Sequence, residues 1–397
     1  MEPFLDRILK YFGITKDEYD ELTKPVNKDN FDAGHSFDKM DEVVNFVKKF
    51  VNEGKKIFIY GDYDTDGIMA TSIMMKTFEY VGHKADYYIP SRYIDNYGLN
   101  VSRAQEIIDN KYDLVITVDN GITCFEAIKM LKDAGIAVCV FDHHEKQEIL
   151  PECDYILHPL ISNFGNVNSS GAFVCFMFSK AFLGRFDKYL STLAAISLIS
   201  DSMPLKEYNR NLLKTVINDY IPGEFENIDL LCEGASLDEN VIGMKVSPRI
   251  NSIGRIIEDV SINDMVDYFI SEDHDKILNY FYWINDVNEK RKEISNADEN
   301  FEVNEDDPCF VIECDKNEGV IGLIATRICN KYLKPTIVFA KTSEDGVLKG
   351  SVRTPDGYNI MEIFDSLKDL LLTAGGHAHA GGCSIKEENF EEFKSRF

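Results

Sequence analysis

Four apolar residues, Ile57 to Tyr60, run directly into Gly61-Asp62-Tyr63-Asp64-Thr65-Asp66-Gly67, and this junction constrains the fold more than any other stretch. The apolar run reads as a strand buried on both faces, as in a parallel sheet, and Ile68 to Tyr80 reads as the helix that follows. The acids then sit at the carboxyl end of a strand, where open α/β sheets bind their ligands. Three carboxylates at alternating positions repel one another unless neutralised. A hard divalent cation, Mg²⁺ or Mn²⁺, is the natural neutraliser. Taken alone, the stretch reads equally well as a solvated Gly/Asp-rich turn.

The pattern recurs through the first half of the chain. Phe37 to Asn52 has apolar positions at helical spacing and is stopped by Gly54. Ala85 to Pro90 reads as a second strand, followed by the polar and aromatic loop Arg92 to Gly98 and a helix over Ser102 to Asn110. Leu114 to Val118 is a third strand ending in Asp119-Asn120-Gly121-Ile122, with a helix through Leu131. Ala137 to Phe141 is a fourth, ending in Asp142-His143-His144, and Tyr155 to Pro159 is a short fifth. Strand, loop and helix in repetition predict a parallel sheet with right-handed crossovers. Three strands deliver acids or histidines at their carboxyl ends, and that coincidence points to a metal site where one lone Asp would not. Adjacent histidines on a lone loop are more often surface residues; here they follow a buried strand, in register with two acidic strand ends. Ala172 to Leu183 and the very apolar Leu193 to Ile199 read as helices, the second closed by Ser200-Asp201-Ser202. An acid at a helix C-terminus opposes the helix dipole, so Asp201 reads as a ligand held by a cation.

Composition narrows the classes. At 397 residues two domains are expected, 44% hydrophobic residues supply ample core, and no apolar run is long enough to span a membrane. The N-terminal MEPFLDRILKYFG reads as a short amphipathic helix and not as a signal peptide. Nine cysteines without a CxxC pair, mostly in apolar segments, speak against a disulfide framework or a zinc site and fit a reduced, cytoplasmic protein. The net charge of −26 repels polyanions, so nucleic acid must be gripped locally, by metal ions and a few arginines.

The second half reads as substrate capture. Residues 205–300 are largely helical, and Asp275 to Asn300 is one long helix whose length suggests a connector; its Asn288 and Arg291 either face the site or are simply solvated. Arg249, Asn251 and Arg255 are stronger candidates, because two arginines beside Gly and Ser can fork onto phosphates. From Asp306 strands and a helix alternate again, with strands at Cys309 to Glu313, Thr336 to Phe339 and Leu348 to Val352 and a helix at Ile321 to Tyr332, which predicts a second small α/β domain. Gly375-Gly376-His377 reads by itself as a tight turn.

The ordered set GDYDTDG, VDNGI, DHH and SDS resembles the DHH phosphoesterase superfamily. Ser247-Pro-Arg249-Ile-Asn251-Ser-Ile-Gly254-Arg255, the 284–291 segment, Gly350-Ser-Val-Arg353 and Gly375-Gly376-His377-Ala378-His379 resemble its RecJ branch of single-strand-specific 5′ to 3′ exonucleases. The resemblance covers about residue 50 to the end. It implies two ions, Mn²⁺ or Mg²⁺, with Asp64, Asp66, Asp119, His143 and Asp201 as ligands, Asp62 beside them, and Asp119 as the bridging acid. His144 would lie near the scissile phosphate as the candidate general acid, with Asp142 orienting a histidine. Arg353, Gly375, Gly376 and His377 would join Arg249, Asn251 and Arg255 in binding substrate, and Tyr93 and Tyr97 would stack bases or pack as loop aromatics. Two departures are Tyr60, where many relatives carry a histidine, and His158-Pro159, where they often carry Asn-Pro.

The expected architecture is therefore an α/β DHH domain with its helical lead-in over 1–225, a helical connector over 226–305, and a DHH-associated domain over 306–397. The expected activity is two-metal hydrolysis of single-stranded DNA to 5′-mononucleotides by a monomer without membrane attachment. Relatives continue into an OB-type domain and this sequence stops at Phe397, which with its acidity keeps open short oligonucleotides, cyclic dinucleotides or nucleotide bisphosphates as substrates, and a catalytically silent replication scaffold.

Overall fold

The computed structural model describes residues 3–26, 37–95, 97–257, 260–296, 301, 303–342, 345–377 and 379–397. The helical lead-in is α1 (Phe4–Phe12) and α2 (Lys16–Thr23); of the loop expected over Lys24 to Ser36, residues 27–36 lie outside the described residues. The chain divides into two compact units, residues 1–251 with 259–281 and residues 252–258 with 282–397, so the stretch expected as a connector, 226–305, is shared between them.

In the first unit, α3 (Met40–Asn52) leads into β1 (Ile57–Tyr60), α4 (Thr65–Tyr80), β2 (Asp86–Tyr88), α5 (Val101–Asp109), β3 (Leu114–Val118), α6 (Phe125–Asp133), β4 (Ala137–Phe141), β5 (Tyr155–Leu157), α7 (Gly171–Leu183) and α8 (Lys188–Ser200). The five strands pair in the order β2-β1-β3-β4-β5, all parallel. Because β3 and all but the first residue of β4 are fully buried, helices must cover both faces. One face carries Tyr60, Val115, Val138 and Val140 against Ala104 and Ile107 of α5 and Ala127, Ile128 and Leu131 of α6. On the other, Phe141 packs on Phe178 of α7. Helix α4 is apolar nearly all round and packs against α7 and α8, which explains its near-complete burial.

Helix α4 starts three residues before the apolar run implies. Asp64 caps it, its carboxylate accepting from the Gly67 N–H at 3.1 Å, so Asp66 lies in the first turn of a helix and not in an open loop. Shorter helices follow: α9 (Glu207–Asp219), α10 (Glu226–Cys232), α11 (Glu239–Val241), α12 (Ser247–Ile256), α13 (Asp264–Ile270) and the long α14 (His274–Asn296).

The second unit is built on β6 (Phe310–Cys314), α15 (Glu318–Tyr332), β7 (Thr336–Lys341), β8 (Val347–Arg353), α16 (Ile360–Ser366), β9 (Leu371–His377), β10 (Ala380–Lys386) and α17 (Phe390–Arg396). Its order is β6-β7-β8-β10-β9, with only β6 and β7 parallel. The turn expected at Gly375-Gly376-His377 is instead the end of β9, paired antiparallel to β10 with Gly376 opposite Gly381. Glycine is needed there for packing: Gly376 has φ +143°, and a Cβ would lie 2.4 Å from the Ala380 carbonyl oxygen. All nine cysteines are free thiols, and among the described residues no helix is long and apolar enough to cross a membrane.

Candidate metal centre

The carboxyl ends of β1, β3 and β4 and the end of α8 bring the acids and histidines together. Asp62, Asp64 and Asp119 form one group, Asp66, His143 and Asp201 a second, and Asp119 also meets His143 and His144; within each group the ligating atoms lie within 4.8 Å of one another. His143 Nε2 is 3.1 Å from Asp119 Oδ1, 3.4 Å from Asp66 Oδ2 and 3.6 Å from Asp201 Oδ2. Asp119 adopts a left-handed φ of +60°, a conformation that persists in a non-glycine residue only where the surroundings over-determine it. Its side chain presses on Gly171, where a Cβ would fall 2.6 Å from Asp119 Oδ1.

The supports differ from residue to residue. Asp66 accepts from the Gly171 and Ala172 N–H groups, both at 2.7 Å, and from the Ser197 hydroxyl at 2.6 Å, so the N-terminus of α7 holds its charge. Asp142 is buried and accepts from Ile122 N–H at 2.9 Å, His143 N–H at 2.7 Å and the His144 ring at 2.8 Å. Its Oδ1 sits against His144 Nδ1. The Tyr97 hydroxyl lies 3.1 Å from the His144 ring nitrogens while its ring stays about half exposed. His158 takes a structural place, its Nε2 hydrogen-bonded to the His144 carbonyl at 2.7 Å. Tyr60 is buried in the core with its hydroxyl donating to the Gly98 carbonyl, and it contributes nothing to the acid cluster.

Electrostatics mark the site as incomplete. Burial, then the neighbouring Asp64, push Asp62 up to about 8; burial, then Asp66 and Asp64, do the same to Asp201. Asp64 is raised by burial and Asp66, and Asp119 well above the carboxylate range by burial and four surrounding acids. Burial lowers His143. For Asp142 and His144 the burial penalty is outweighed by their mutual hydrogen bond and charge, which holds Asp142 well below the usual range and lifts His144 to about 9. Asp62 Oδ1 and Asp119 Oδ1 are buried without a hydrogen-bond partner. Buried anionic oxygens that repel one another and lack donors are what a hard cation completes, so the residues fit divalent metal.

This arrangement agrees with known proteins. The model of the DHH family, N-terminal domain, matches residues 56–200, and that of the DHHA1 domain matches residues 306–397. The chain carries a DHH domain followed by a DHHA1 domain. It is 32% identical over 373 residues to the single-stranded-DNA-specific exonuclease RecJ of Bacillus subtilis, covering 90% of this chain and 47% of that relative's own length. Among solved structures it resembles exonuclease RecJ bound to manganese, at TM-score 0.77 and 27% identity over 91% of this chain and 94% of the other. It also resembles RecJ in complex with Mn²⁺ from Thermus thermophilus, at TM-score 0.82 and 26% identity over 98% and 57%.

The DHH domain thus holds the cluster from Asp62 to His144, with Asp201 one residue beyond the matched span. The expected substrate residues fare unequally. Arg249 is buried in an ion pair with Glu233 and donates to the Lys245 carbonyl at 2.9 Å, so its charge is already compensated, contrary to the expected phosphate fork. Asn251 is also engaged: its Oδ1 accepts from the Thr65 N–H and hydroxyl, both at 2.9 Å, which braces the first turn of α4. Arg255 and Arg353 come to one place in the second unit, the first turn of α15. Arg255 donates to the Gly319 carbonyl at 3.1 Å, and a Cβ at Gly322 would lie 3.1 Å from Arg353 Nη2. Arg353 bonds only neutral oxygens, Ser351 Oγ at 3.1 Å and the Val352 carbonyl at 2.7 Å, and has no carboxylate partner among the described residues. On α14, Arg291 donates to Asn288 at 2.9 Å and its Nε is buried without a partner. Gly375 and Gly376 lie on β9 in the DHHA1 domain, as does His377, whose side chain lies outside what the structure describes. The supports at Ser197, Gly171 and Ala172 escaped sequence reasoning; Ser169-Ser170-Gly171-Ala172, a capping Ser before an apolar helix, was the available signal.

Proposed function

We propose that this chain is a metal-dependent phosphodiesterase, acting as a RecJ-like 5′ to 3′ exonuclease that releases 5′-mononucleotides from single-stranded DNA. The observation that carries the reading is the convergence of five buried or half-buried acids and His143, with unpartnered oxygens on Asp62 and Asp119. The RecJ relatives support single-stranded DNA as substrate and Mn²⁺ as the metal, with Mg²⁺ as the alternative hard ion.

In this reading Asp66, His143 and Asp201 would hold one ion and Asp62 and Asp64 a second, with Asp119 close enough to contribute to each. The ions, when bound, acidify a water and polarise the phosphodiester. Asp142 fixes the His144 imidazole through Nδ1 and keeps it protonated near neutral pH, so that Nε2 can donate to the substrate. The Tyr97 hydroxyl, within 3.1 Å of both ring nitrogens, confines the same ring. Arg255 and Arg353 fork onto phosphate oxygens, and the Gly375-Gly376-His377 strand end lets the backbone approach them. Arg249 and Asn251 act at one remove, by bracing α12 and α4. The working division is a catalytic part over 1–225, a helical part over 226–305 and a substrate-binding part over 306–397, acting as a cytoplasmic monomer.

The net charge favours a second reading, in which short oligonucleotides, cyclic dinucleotides or nucleotide bisphosphates are hydrolysed. Mn²⁺-dependent digestion of strands labelled at either end, DNA and RNA, long and very short, separates the two. Mononucleotides released from the 5′ end of long DNA establish the exonuclease, and cleavage confined to the shortest substrates establishes the second reading. Silence on every substrate overturns both in favour of a binding scaffold.

A further inference from the structure

The strained Asp119 is followed by Asn120, whose side chain is fully buried. Its Nδ2 lies 2.9 Å from the Gly61 carbonyl, 2.9 Å from the Val118 carbonyl and 3.3 Å from the Tyr60 carbonyl. Tyr60 and Gly61 immediately precede Asp62; Val118 immediately precedes Asp119. One amide therefore ties the start of the loop bearing Asp62 and Asp64 to the start of the loop bearing Asp119. Its Oδ1 is buried without a partner. Turning the amide over would set that oxygen against three carbonyl oxygens, so the orientation is dictated and the N–H donors are what the site uses.

The other acid set has separate support. Asp66 takes its hydrogen bonds from the N–H groups of Gly171 and Ala172 and from Ser197, and Gly171 also packs on Asp119. We infer that Asn120 is a positioning residue that holds Asp119 against Asp62 and Asp64, so that its loss acts first on the ion position those three acids line and reaches the one at Asp66, His143 and Asp201 only through the shared Asp119. This rests on the two-ion reading above. Residues that orient ligands without touching the metal typically change its affinity 10- to 100-fold, and an effect of about that size is expected here.

The experiment is Mn²⁺ calorimetry on the full chain, beside thermal melting and cleavage kinetics. Asn120→Asp keeps the shape and replaces the donor by an oxygen; Asn120→Ala removes the donor without adding charge; Ser197→Ala serves as the reciprocal variant. Both Asn120 variants should weaken one class of Mn²⁺ site about 10- to 100-fold and the other by less, while Ser197→Ala reverses that order. The kcat of strand cleavage should fall with KM unchanged. A residue that only filled space would leave the isosteric Asn120→Asp like the parent protein, and that result overturns the inference. Equal weakening of both classes by either Asn120 variant overturns the inference. Wild-type protein that binds no Mn²⁺ overturns the metal reading itself, and this inference with it.

Discussion

Charged groups are treated in opposite ways in the two units. In the first, Asp62 and Asp119 are buried beside other acids, each with an oxygen that makes no hydrogen bond. In the second, the mostly buried Arg353 bonds a hydroxyl and a carbonyl and meets no acid among the described residues. Each is an uncompensated charge in a partly dehydrated place, and each is costly until a ligand of opposite sign completes it. Arg249 shows the contrast within one residue type: paired with Glu233, it is already complete, and its contribution is to stability. In the proposed reading, incomplete charge, more than charge itself, separates the groups set to meet a ligand from those that hold the fold.

The largest effect should come from Asp119→Ala, which removes the acid shared by both sets. Its kcat should fall on the order of a thousandfold, the scale at which loss of a charge-stabilising group acts on a transition state. Single-turnover kinetics check this, and a purely KM effect would break the assignment of chemistry to the first unit. Arg353→Ala should raise KM for single-stranded DNA about 10- to 100-fold with little change in kcat, since a charge-assisted hydrogen bond is worth about 1.5–3 kcal/mol. A kcat defect of that size would place Arg353 with the chemistry instead.

Stability against pH sharpens the comparison further. Asp62 and Asp201 have folded values of about 8, above their unfolded value, so the protein without metal binds extra protons when folded, and that stabilisation is lost as pH rises toward 8. His144, raised to about 9, acts in the same direction above its ordinary value near 6.5. His143, lowered by burial, acts in the opposite direction, but only below that value. The melting temperature of metal-free protein should therefore fall between pH 6.5 and 8, and Mn²⁺ should raise it most at the upper end. A flat profile by differential scanning calorimetry would mean that the acids are already compensated. The smallest effect belongs to Arg249→Ala, which should cost about 1 kcal/mol in chemical denaturation, because half-exposed Glu233 can rehydrate, and should leave KM unchanged. A large rise in KM would return Arg249 to the phosphate site.

Three strands of the first sheet, β1, β3 and β4, were legible because they are short, largely buried apolar runs, each closed by acids or histidines, and they lie where periodicity puts them. The start of α4 was not, since capping by Asp64 outweighs the apolar run that follows. Glycine was ambiguous at Gly375 and Gly376, where a turn and a close-packed hairpin ask for the same residue. Arg249 and Arg353 look alike in sequence and differ only in what lies opposite.

What the sequence determined by itself is local: which segments are strands, that they alternate with helices, and which strand ends carry acid. Only the tertiary structure decided which acids are answered. Asp66 receives its donors from Gly171, 105 positions away, and Ser197, 131 away, whereas Asp62 and Asp119 each keep a buried oxygen that makes no hydrogen bond. Hydrophobic period is written in neighbouring residues, but a hydrogen-bond partner is set by how distant segments pack, and no local pattern encodes that.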